Sequence, residues 1–509
     1  MERCFVLDYY LVFDLGTTRI KAFAYDEKGN IIKVVARNTK VIFPQPGWVE
    51  EDPLEFWEAT INTGKEIVDD LGKPKAIAIT NQRSSTIIWD KETGDPLYNM
   101  ITWQDTRTAE LAKEYTNKGS FKFIRGLGKF MKGVSTLLPF LKRSRRMKFL
   151  ISAANFRFGT NQPIMHVRWL MDNVEEARSA INNGRAAFGT MDSWILYKLL
   201  GKHITDYTNA TATGMFDPFY VRWSKTLLKT IDIPLDILPE LVDVMGPYGT
   251  AKELEDAPVA ASIADQQSSL YSAGGVKKGV IKMTHGTGTF IDINVGTDPI
   301  PMSYGVYPMV AVKWKDKVYY LMEGIVQAMG SAIDWLVNMG VLESPAEADK
   351  YALAVEDTGG VVFYPALAGL GTPYWNPKVK GIIYGLTRAI RKEHLVRALL
   401  EGLAMSVAEV LDCIRKASGM EFNEIIADGG ASKSDYLLQS IADFSGVKVL
   451  RPKNLEGTSR GAFLLAKGAI EGKSLEEAWV PPEIEKEFLP RKRGIEKWKR
   501  IKEFALEIE

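Results

Sequence analysis

The stretch FDLGTTRIKAFAYD (Phe13–Asp26) decides how this chain is read. An apolar run ends in an aspartate, turns through Gly-Thr-Thr and returns as a second run, the pattern of a strand–turn–strand hairpin. Such a turn offers backbone N–H groups and hydroxyls to phosphate oxygens, yet it lacks the lysine and the following helix of a P-loop. Asp14 would repel a bare phosphate. A divalent metal travelling with the phosphates reverses that sign, so the stretch suits a seat for a metal–nucleotide, with Asp14 on the metal and Thr17 and Thr18 beside the phosphates; an ordinary hairpin whose glycine serves only the backbone is the alternative.

Outward from the hairpin, a GN turn leads to a third strand, and the turn-rich PQPGWVEEDP opens a helix over LEFWEATINTGKEIVDDLG. AIAITNQRSSTIIWD then reads as strand, loop and strand, the opening of an α/β domain. A comparable start recurs at GVIKMTHGTGTFIDINVG (Gly279–Gly296), followed by a strand and helix in VYYLMEGIVQAMGSAIDWLVNMGV and a strand, glycine turn and helix in EIIADGGASKSDYLLQSIADF. Two halves that each begin with a Gly-Thr hairpin predict a duplicated fold with a cleft between the copies and a boundary near residues 270–278. Gly286 to Thr289 would face the first turn, and Gly429 and Gly430 would bring backbone and a helix N-terminus close to a ligand.

The totals agree. At 509 residues the chain exceeds one core and suggests about two to four domains. Its 46% apolar and 25% charged residues are those of a soluble globular protein, and a net charge of +1 excludes a globally acidic or basic partner surface. Cys4 and Cys413 alone make a disulfide framework improbable and a reducing compartment the default. The first residues, interrupted by Glu2, Asp8 and Asp14, do not read as a signal peptide, and no apolar window is long enough to span a bilayer. The expected location is cytoplasmic. His166, His203, His285 and His394 are scattered and fall in no metal-ligand spacing, so structural roles are expected for them.

DLGTT, PGWVEEDP, ITNQRSSTIIWDKETGDPLYNMITWQDTRTAE, FGTMDSWILYKLLG, TDYTNAT, ADQQSSL, HGTGTF, GLGTPYWNPKVKGIIYGLTR and DGGASKSDYLLQ, in that order, resemble the FGGY family of carbohydrate kinases over nearly the whole chain. The resemblance is greatest to the glycerol-phosphorylating branch. It implies a two-domain actin-like/hexokinase (ribonuclease H-like) ATPase fold of class α/β, with a polyol-binding domain over 1–274 and a nucleotide-binding domain over 275–509. It implies ATP and Mg²⁺, conversion of glycerol to sn-glycerol 3-phosphate, and a homodimer or higher homo-oligomer. Carried over by position, Asp265 is the catalytic base, Asp14 the metal-associated aspartate, and Thr18 and Thr287 the phosphate contacts. Gly330, Gly430 and Ser434 fall at the nucleoside, and Arg83, Trp103, Asp265, Gln266 and Phe290 in the substrate pocket.

Several positions depart from that pattern. Ser84 stands where the glycerol branch has glutamate, Lys21 where arginine is usual, and Asp334 where glutamine lies near the adenine. A pocket tyrosine has no clear counterpart; Asn161 falls nearby. Loss of a charge-assisted acceptor at Ser84 costs about 1.5–3 kcal/mol unless another group replaces it. Another small polyol or ketose, such as erythritol, xylulose or ribulose, is therefore the alternative substrate, and a non-catalytic nucleotide-binding scaffold the alternative of another class. MGPYGTAKELEDAPVAASIADQQ lacks the glycine- and arginine-rich loop that binds a sugar bisphosphate in some relatives, so regulation through that loop is not expected.

An insertion over about 116–160 has its own physics. Between Tyr115 and Met171 stand twelve Lys/Arg and no Asp/Glu; without those twelve, the net charge of +1 becomes −11 for the rest of the chain. Lys118, Lys122, Arg125, Lys129 and Lys132 share one helical face, and KRSRRMK follows. The 118–148 segment suits an anionic membrane, which would make the protein peripheral at the inner face; a solvated basic face or a subunit contact is the alternative. Nucleic acid is not expected, since no recognised binding module accompanies the segment.

Overall fold

The first strand, β1 (Tyr9–Leu15), is apolar on both faces, and its alternate residues serve two cores. Tyr9, Leu11, Phe13 and Leu15 pack with Phe56, Ile61 and Ile67 of the helix Pro53–Leu71. Tyr10 and Val12 pack instead with Ala462, Phe463 and Ala466 of the helix Gly457–Ile470. Burial on both faces explains why the strand reads as a continuous apolar run until Asp14. The helix Pro53–Leu71 begins where Asp52 accepts from the Leu54 and Glu55 N–H groups and Pro53 sets the first turn. It approaches β1 closely: a side chain at Gly64 would come within 2.6 Å of the Phe13 ring.

The computed structural model describes residues 8–491 and 496–507, with Cys4 outside them. Cys413 is buried with a free thiol. The described chain divides into two units. The first comprises the chain through Val276 together with Met309–Tyr320 and Thr458–Val480; the second comprises Lys277–Pro308, Leu321–Gly457 and the chain from Pro481. Compact packing divides the chain differently from the expected 1–274 and 275–509, since two segments beyond residue 274 pack with the first unit. The helix Gly457–Ile470 is distant in sequence, but its apolar face is part of the first core.

In the first unit β1 pairs antiparallel with β2 (Arg19–Asp26), and β2 with β3 (Ile31–Asn38). On its other side β1 lies parallel to β4 (Ala76–Asn81). Strand β5 (Met245–Ala251) is the antiparallel edge of β6 (Ala257–Ala264), which lies parallel to β4, giving the order β3–β2–β1–β4–β6–β5. In the second unit β7 (Ile281–His285) forms an antiparallel hairpin with β8 (Thr289–Gly296), and β9 (Lys317–Val326) is next to β8. Strands β10 (Glu424–Asp428) and β11 (Lys448–Pro452) continue in parallel from β7, β12 (Ile484–Phe488) closes antiparallel, and the strand Tyr307–Trp314 lies beside β9, giving a seven-stranded order of Tyr307–Trp314, β9, β8, β7, β10, β11 and β12. Both sheets set the first strand of a hairpin parallel to the next strand, β1 to β4 and β7 to β10, but the antiparallel edge precedes its neighbour in the chain in the first sheet (β5 before β6) and follows it in the second (β12 after β11). Among the described residues no helix is long and apolar enough to cross a membrane.

The basic insertion is a helix, Gly119–Leu137, a short 3₁₀ turn, Pro139–Arg143, and a second helix, Arg145–Asn155. Three glycines, Gly126, Gly128 and Gly133, argue against a helix by propensity. Packing overrides that at Gly128, where any side chain would collide with the Leu150 carbonyl oxygen of the second helix.

Candidate active site

Parallel strands converge their carboxyl ends on one edge of a sheet, and ligand-binding residues of α/β proteins follow those ends. In the first unit Leu15 of β1 and Ala264 of β6 both register with Asn81 of β4. The Gly16–Thr18 turn, Gln82–Ser84 and Asp265–Gln266 therefore leave adjacent strands at the same edge. Arg83 Nε lies 3.3 Å from Asp265 Oδ1, with the arginine almost wholly buried and the aspartate side chain 25% exposed. Asp265 Oδ1 also accepts from the Gln266 backbone N–H at 2.8 Å, and Gln266 Nε2 donates to Oδ2 at 3.1 Å. The aspartate is thus fixed in direction while one side remains open to water. Arg83 Nη1 also reaches Met309 Sδ at 3.5 Å.

Ser84 occupies a left-handed conformation, φ +67°, and its hydroxyl donates to the Ala212 carbonyl at 3.2 Å. This strained turn sits between the strand and the pocket residue Arg83, where strain of this kind tends to accompany function. Trp103 Nε1 donates to Thr17 Oγ1 at 3.0 Å, and Thr17 in turn donates to Gln82 Oε1. The Thr17 hydroxyl, expected beside the phosphates, is therefore committed to holding Trp103 and Gln82. Thr18 is exposed, and its hydroxyl has no partner among the described residues. Asp14 is half-buried at the end of β1, opposite Lys21. Asn161 is exposed in the turn before the helix Pro163–Asn173.

Beneath this edge lies a buried polar network that sequence reasoning did not single out. Asn81 and Asn209 exchange amide hydrogen bonds of 2.9 and 3.1 Å, and Asn209 Nδ2 also donates to Asp206 Oδ2 at 2.8 Å. Asp206 further accepts from the Ser262 hydroxyl and the Thr208 N–H. Ala264 N–H donates to Thr208 Oγ1 at 2.8 Å, one residue before Asp265. Burial pushes the carboxyl groups of Asp192 and Asp206 upward, and their proximity adds to it at Asp192. The signal was TDYTNAT itself, a polar run too rich in hydrogen-bonding groups to be an ordinary turn.

In the second unit Thr284 of β7 registers with Asp428 of β10, so Gly286–Thr287 and Gly429–Gly430 leave adjacent strand ends. Thr287 is exposed with its hydroxyl unpartnered among the described residues, while its carbonyl accepts from Met329 N–H, Ser331 N–H and Ser331 Oγ. Gly330 N–H donates to the Gly286 carbonyl at 3.0 Å, and a side chain at Gly330 would meet that oxygen at 2.7 Å. A side chain at Gly288 would meet the Val326 carbonyl at 2.7 Å. Gly429, at φ +87°, abuts the His285 backbone, whereas Gly430 faces open space. These three contacts let backbone pack on backbone and leave the Gly286–Thr287 loop exposed, a cradle that fits a polyphosphate.

Phe290 is half-buried on β8, and Asp334 is exposed on the helix Gly330–Asn338. Ser434, expected at the nucleoside, caps the helix Asp435–Ser445 through Leu437 N–H and donates its proton to Asp349. Its hydroxyl is committed to the fold. His285 is fully buried with Nδ1 2.7 Å from Thr289 Oγ1; burial, then Lys282, drives its pKa down to about 3. The other histidines are structural: His166 bridges Thr86 and Thr160, His203 reaches the Phe188 carbonyl, and His394 accepts from Arg391 N–H.

No cluster of three or more His, Cys, Asp or Glu side chains suited to a metal occurs among the described residues. Asp14 is a single half-buried carboxylate, which fits Mg²⁺, an ion held by one or two carboxylates plus the phosphates of its nucleotide.

The model of the FGGY carbohydrate kinase N-terminal domain matches residues 9–132 and 134–271, and that of the C-terminal domain matches 281–470. The chain belongs to the FGGY family of carbohydrate kinases. It is 36% identical to a glycerol kinase of Caldanaerobacter subterraneus subsp. tengcongensis, covering 98% of each chain. It is 37% identical to glycerol kinase 2 of Thermotoga maritima, covering 97% of this chain and 98% of that one. An uncharacterized sugar kinase of Archaeoglobus fulgidus is 36% identical over 98% of this chain and 99% of its own. The crystal structure of Plasmodium falciparum glycerol kinase with ADP is 29% identical, with a TM-score of 0.84 and coverage of 99% of this chain and 98% of that one. A gluconate kinase from Lactobacillus acidophilus, at 23% identity and a TM-score of 0.82, shows the shared fold. This is the two-domain actin-like ATPase fold, and the protein is a phosphotransferase with an alcohol acceptor. Family membership implies ATP as the phosphoryl donor.

Proposed function

We propose that this FGGY kinase phosphorylates glycerol to sn-glycerol 3-phosphate with Asp265 as general base. The carrying observation is the Asp265 carboxylate, held by Arg83 and Gln266 yet open on one side. A hydroxyl placed there would be oriented for in-line attack and would give its proton to Asp265 as the bond to phosphorus forms. Arg83, with several donors in a fixed fork, would hold neighbouring hydroxyl oxygens, and Trp103, held by Thr17, would cover the carbon skeleton. Phe290 and Gln266 complete the proposed substrate set.

Mg²⁺ bound with ATP would neutralise charge on the transferring phosphoryl group. Asp14 is the proposed metal-associated carboxylate; the exposed hydroxyls of Thr18 and Thr287 and the Gly286–Thr287 backbone are the proposed phosphate donors. Gly330 and Gly430 are the proposed nucleoside neighbours, with Asp334 on the same helix as Gly330 and Ser434 acting through its backbone. Positioning and electrostatics would supply most of the acceleration.

Ser84 favours a second reading. Its hydroxyl is engaged with Ala212, and it offers no carboxylate to a substrate hydroxyl. A polyol or ketose with a different arrangement of hydroxyls is the rival substrate. The two readings separate in a coupled assay of ADP release with glycerol, dihydroxyacetone, erythritol, xylulose and ribulose. Glycerol with the highest kcat/KM supports the first; any ketose far above glycerol supports the second.

A further inference from the structure

The helix Gly119–Leu137 has three faces, and only one of them is used by the fold. Phe121, Gly128 and Ser135 are buried. Lys122, Lys129 and Lys132 are exposed along a second face. A third face carries Phe123, Leu127, Phe130, Val134 and Leu137, at intervals of four, three, four and three residues. Phe123 is 74%, Phe130 68% and Leu137 83% exposed, so this stripe points outward rather than into a core. The following turn adds Leu138 and Phe140, also exposed, and the exposed Arg143, Arg145 and Arg146 come directly after.

We infer that this helical hairpin docks the kinase onto an anionic lipid surface, with the apolar stripe entering the headgroup layer and the flanking cations contacting lipid phosphates. Apolar stripe and basic flank are the two components of interfacial helices, and each alone gives weak, reversible binding. Charge selects this occupant over others. Between Tyr115 and Met171 there are twelve Lys/Arg and no Asp/Glu, so a second copy laid on the stripe would bring two strongly cationic segments together. Leu127, Leu137 and Leu138 have no planar face for a nucleobase, and in a nucleic-acid complex they would lie against phosphates. An anionic bilayer satisfies both: negative headgroups for the cations, and acyl chains for the exposed Phe and Leu side chains. The inference is independent of which alcohol is phosphorylated, because none of these residues belongs to the proposed active site.

The test uses the full chain with vesicles of phosphatidylcholine alone and of phosphatidylcholine mixed with phosphatidylglycerol. The protein should co-sediment with the mixed vesicles and not with the neutral ones, and added salt should weaken binding. A triple variant, Phe123→Ser, Phe130→Ser and Phe140→Ser, should lose about tenfold or more in partitioning, and Lys129→Glu with Arg145→Glu and Arg146→Glu at least as much. All six positions are exposed, so both variants should retain the wild-type melting temperature and kinase turnover. Replacing Phe130 by Trp adds a second readout: the difference in emission between this variant and the wild type, which carries twelve tryptophans of its own, should shift to the blue on mixed vesicles only. Absence of binding to the mixed vesicles, or undiminished binding by the triple serine variant, would overturn the inference. So would sedimentation velocity showing a dimer that the serine variant dissolves, or tighter capture by single-stranded RNA than by the mixed vesicles.

Discussion

Arg83 Nε and Asp265 Oδ1, 182 positions apart in the chain, meet at 3.3 Å where two strands of one sheet end. The pair fixes the carboxylate without closing it off, and that is the requirement for a base that takes a proton from a bound alcohol. Asp265→Asn keeps the shape and, through its one amide oxygen, a contact with Gln266, but puts an amide N–H donor where the second carboxylate oxygen accepted and removes the basic group. Its kcat should fall by about 10²–10⁴-fold with the fold intact by circular dichroism. Arg83→Ala should raise KM for the alcohol and lower kcat together, because it removes both the proposed substrate donor and the partner of Asp265.

Backbone packing makes a separate prediction for the nucleotide. A methyl at Gly330 would meet the Gly286 carbonyl oxygen at 2.7 Å, so Gly330→Ala must displace the Gly286–Thr287 loop. KM for ATP should rise by about tenfold or more while KM for the alcohol changes little. Gly430 faces open space, so Gly430→Ala should leave the melting temperature unchanged. A rise in KM for ATP in that variant would then report direct approach of the nucleotide.

Ser84 offers a gain-of-function test. Ser84→Glu restores the carboxylate that the glycerol branch carries, at a position already in the left-handed region. If glycerol lies against Arg83, kcat/KM for glycerol should increase by about tenfold or more, the worth of one charge-assisted hydrogen bond. Steady-state kinetics with glycerol and xylulose in parallel would read the change.

The pH dependence of stability has one identifiable contributor. Glu51 is 1% exposed; burial pushes its pKa up to about 7, against a smaller lowering by the nearby Thr39 hydroxyl. The folded state then binds more protons than the unfolded state between the ordinary glutamate pKa and pH 7. This contribution is therefore most favourable at the acid end of that window and is lost as pH rises through it, by up to about 1.4 kcal/mol per unit. Urea denaturation of Glu51→Gln at pH 5 and about pH 7.5 should show a smaller difference between the two pH values than the wild type shows.

Much of the fold was legible because each sheet opens with a hairpin whose strands are apolar and whose turn is Gly-Thr, and in both the first hairpin strand lies parallel to the next strand. The third-strand and strand–turn–helix readings hold for the same reason: their periodicities are local. The return of Thr458–Val480 to the first core was not legible, because an apolar helix face does not say which core receives it. Arg83 and Asp265 could be paired only through motif order, while the commitments of Thr17 to Gln82 and of Ser434 to Asp349 depend on side-chain direction, which spacing does not encode. The outward stripe from Phe123 to Leu137 was half visible: the lysine face could be counted, but which apolar residues stay outside is decided by Gly128 against the second helix.

The most direct measurement is phosphoryl transfer by the wild type and Asp265→Asn across the panel of polyols and ketoses, with each product identified by ³¹P NMR. Glycerol 3-phosphate is expected as the product formed with the highest kcat/KM, with loss of that product by about 10²-fold or more in the variant. A ketose preferred over glycerol, or undiminished transfer by Asp265→Asn, would contradict this expectation.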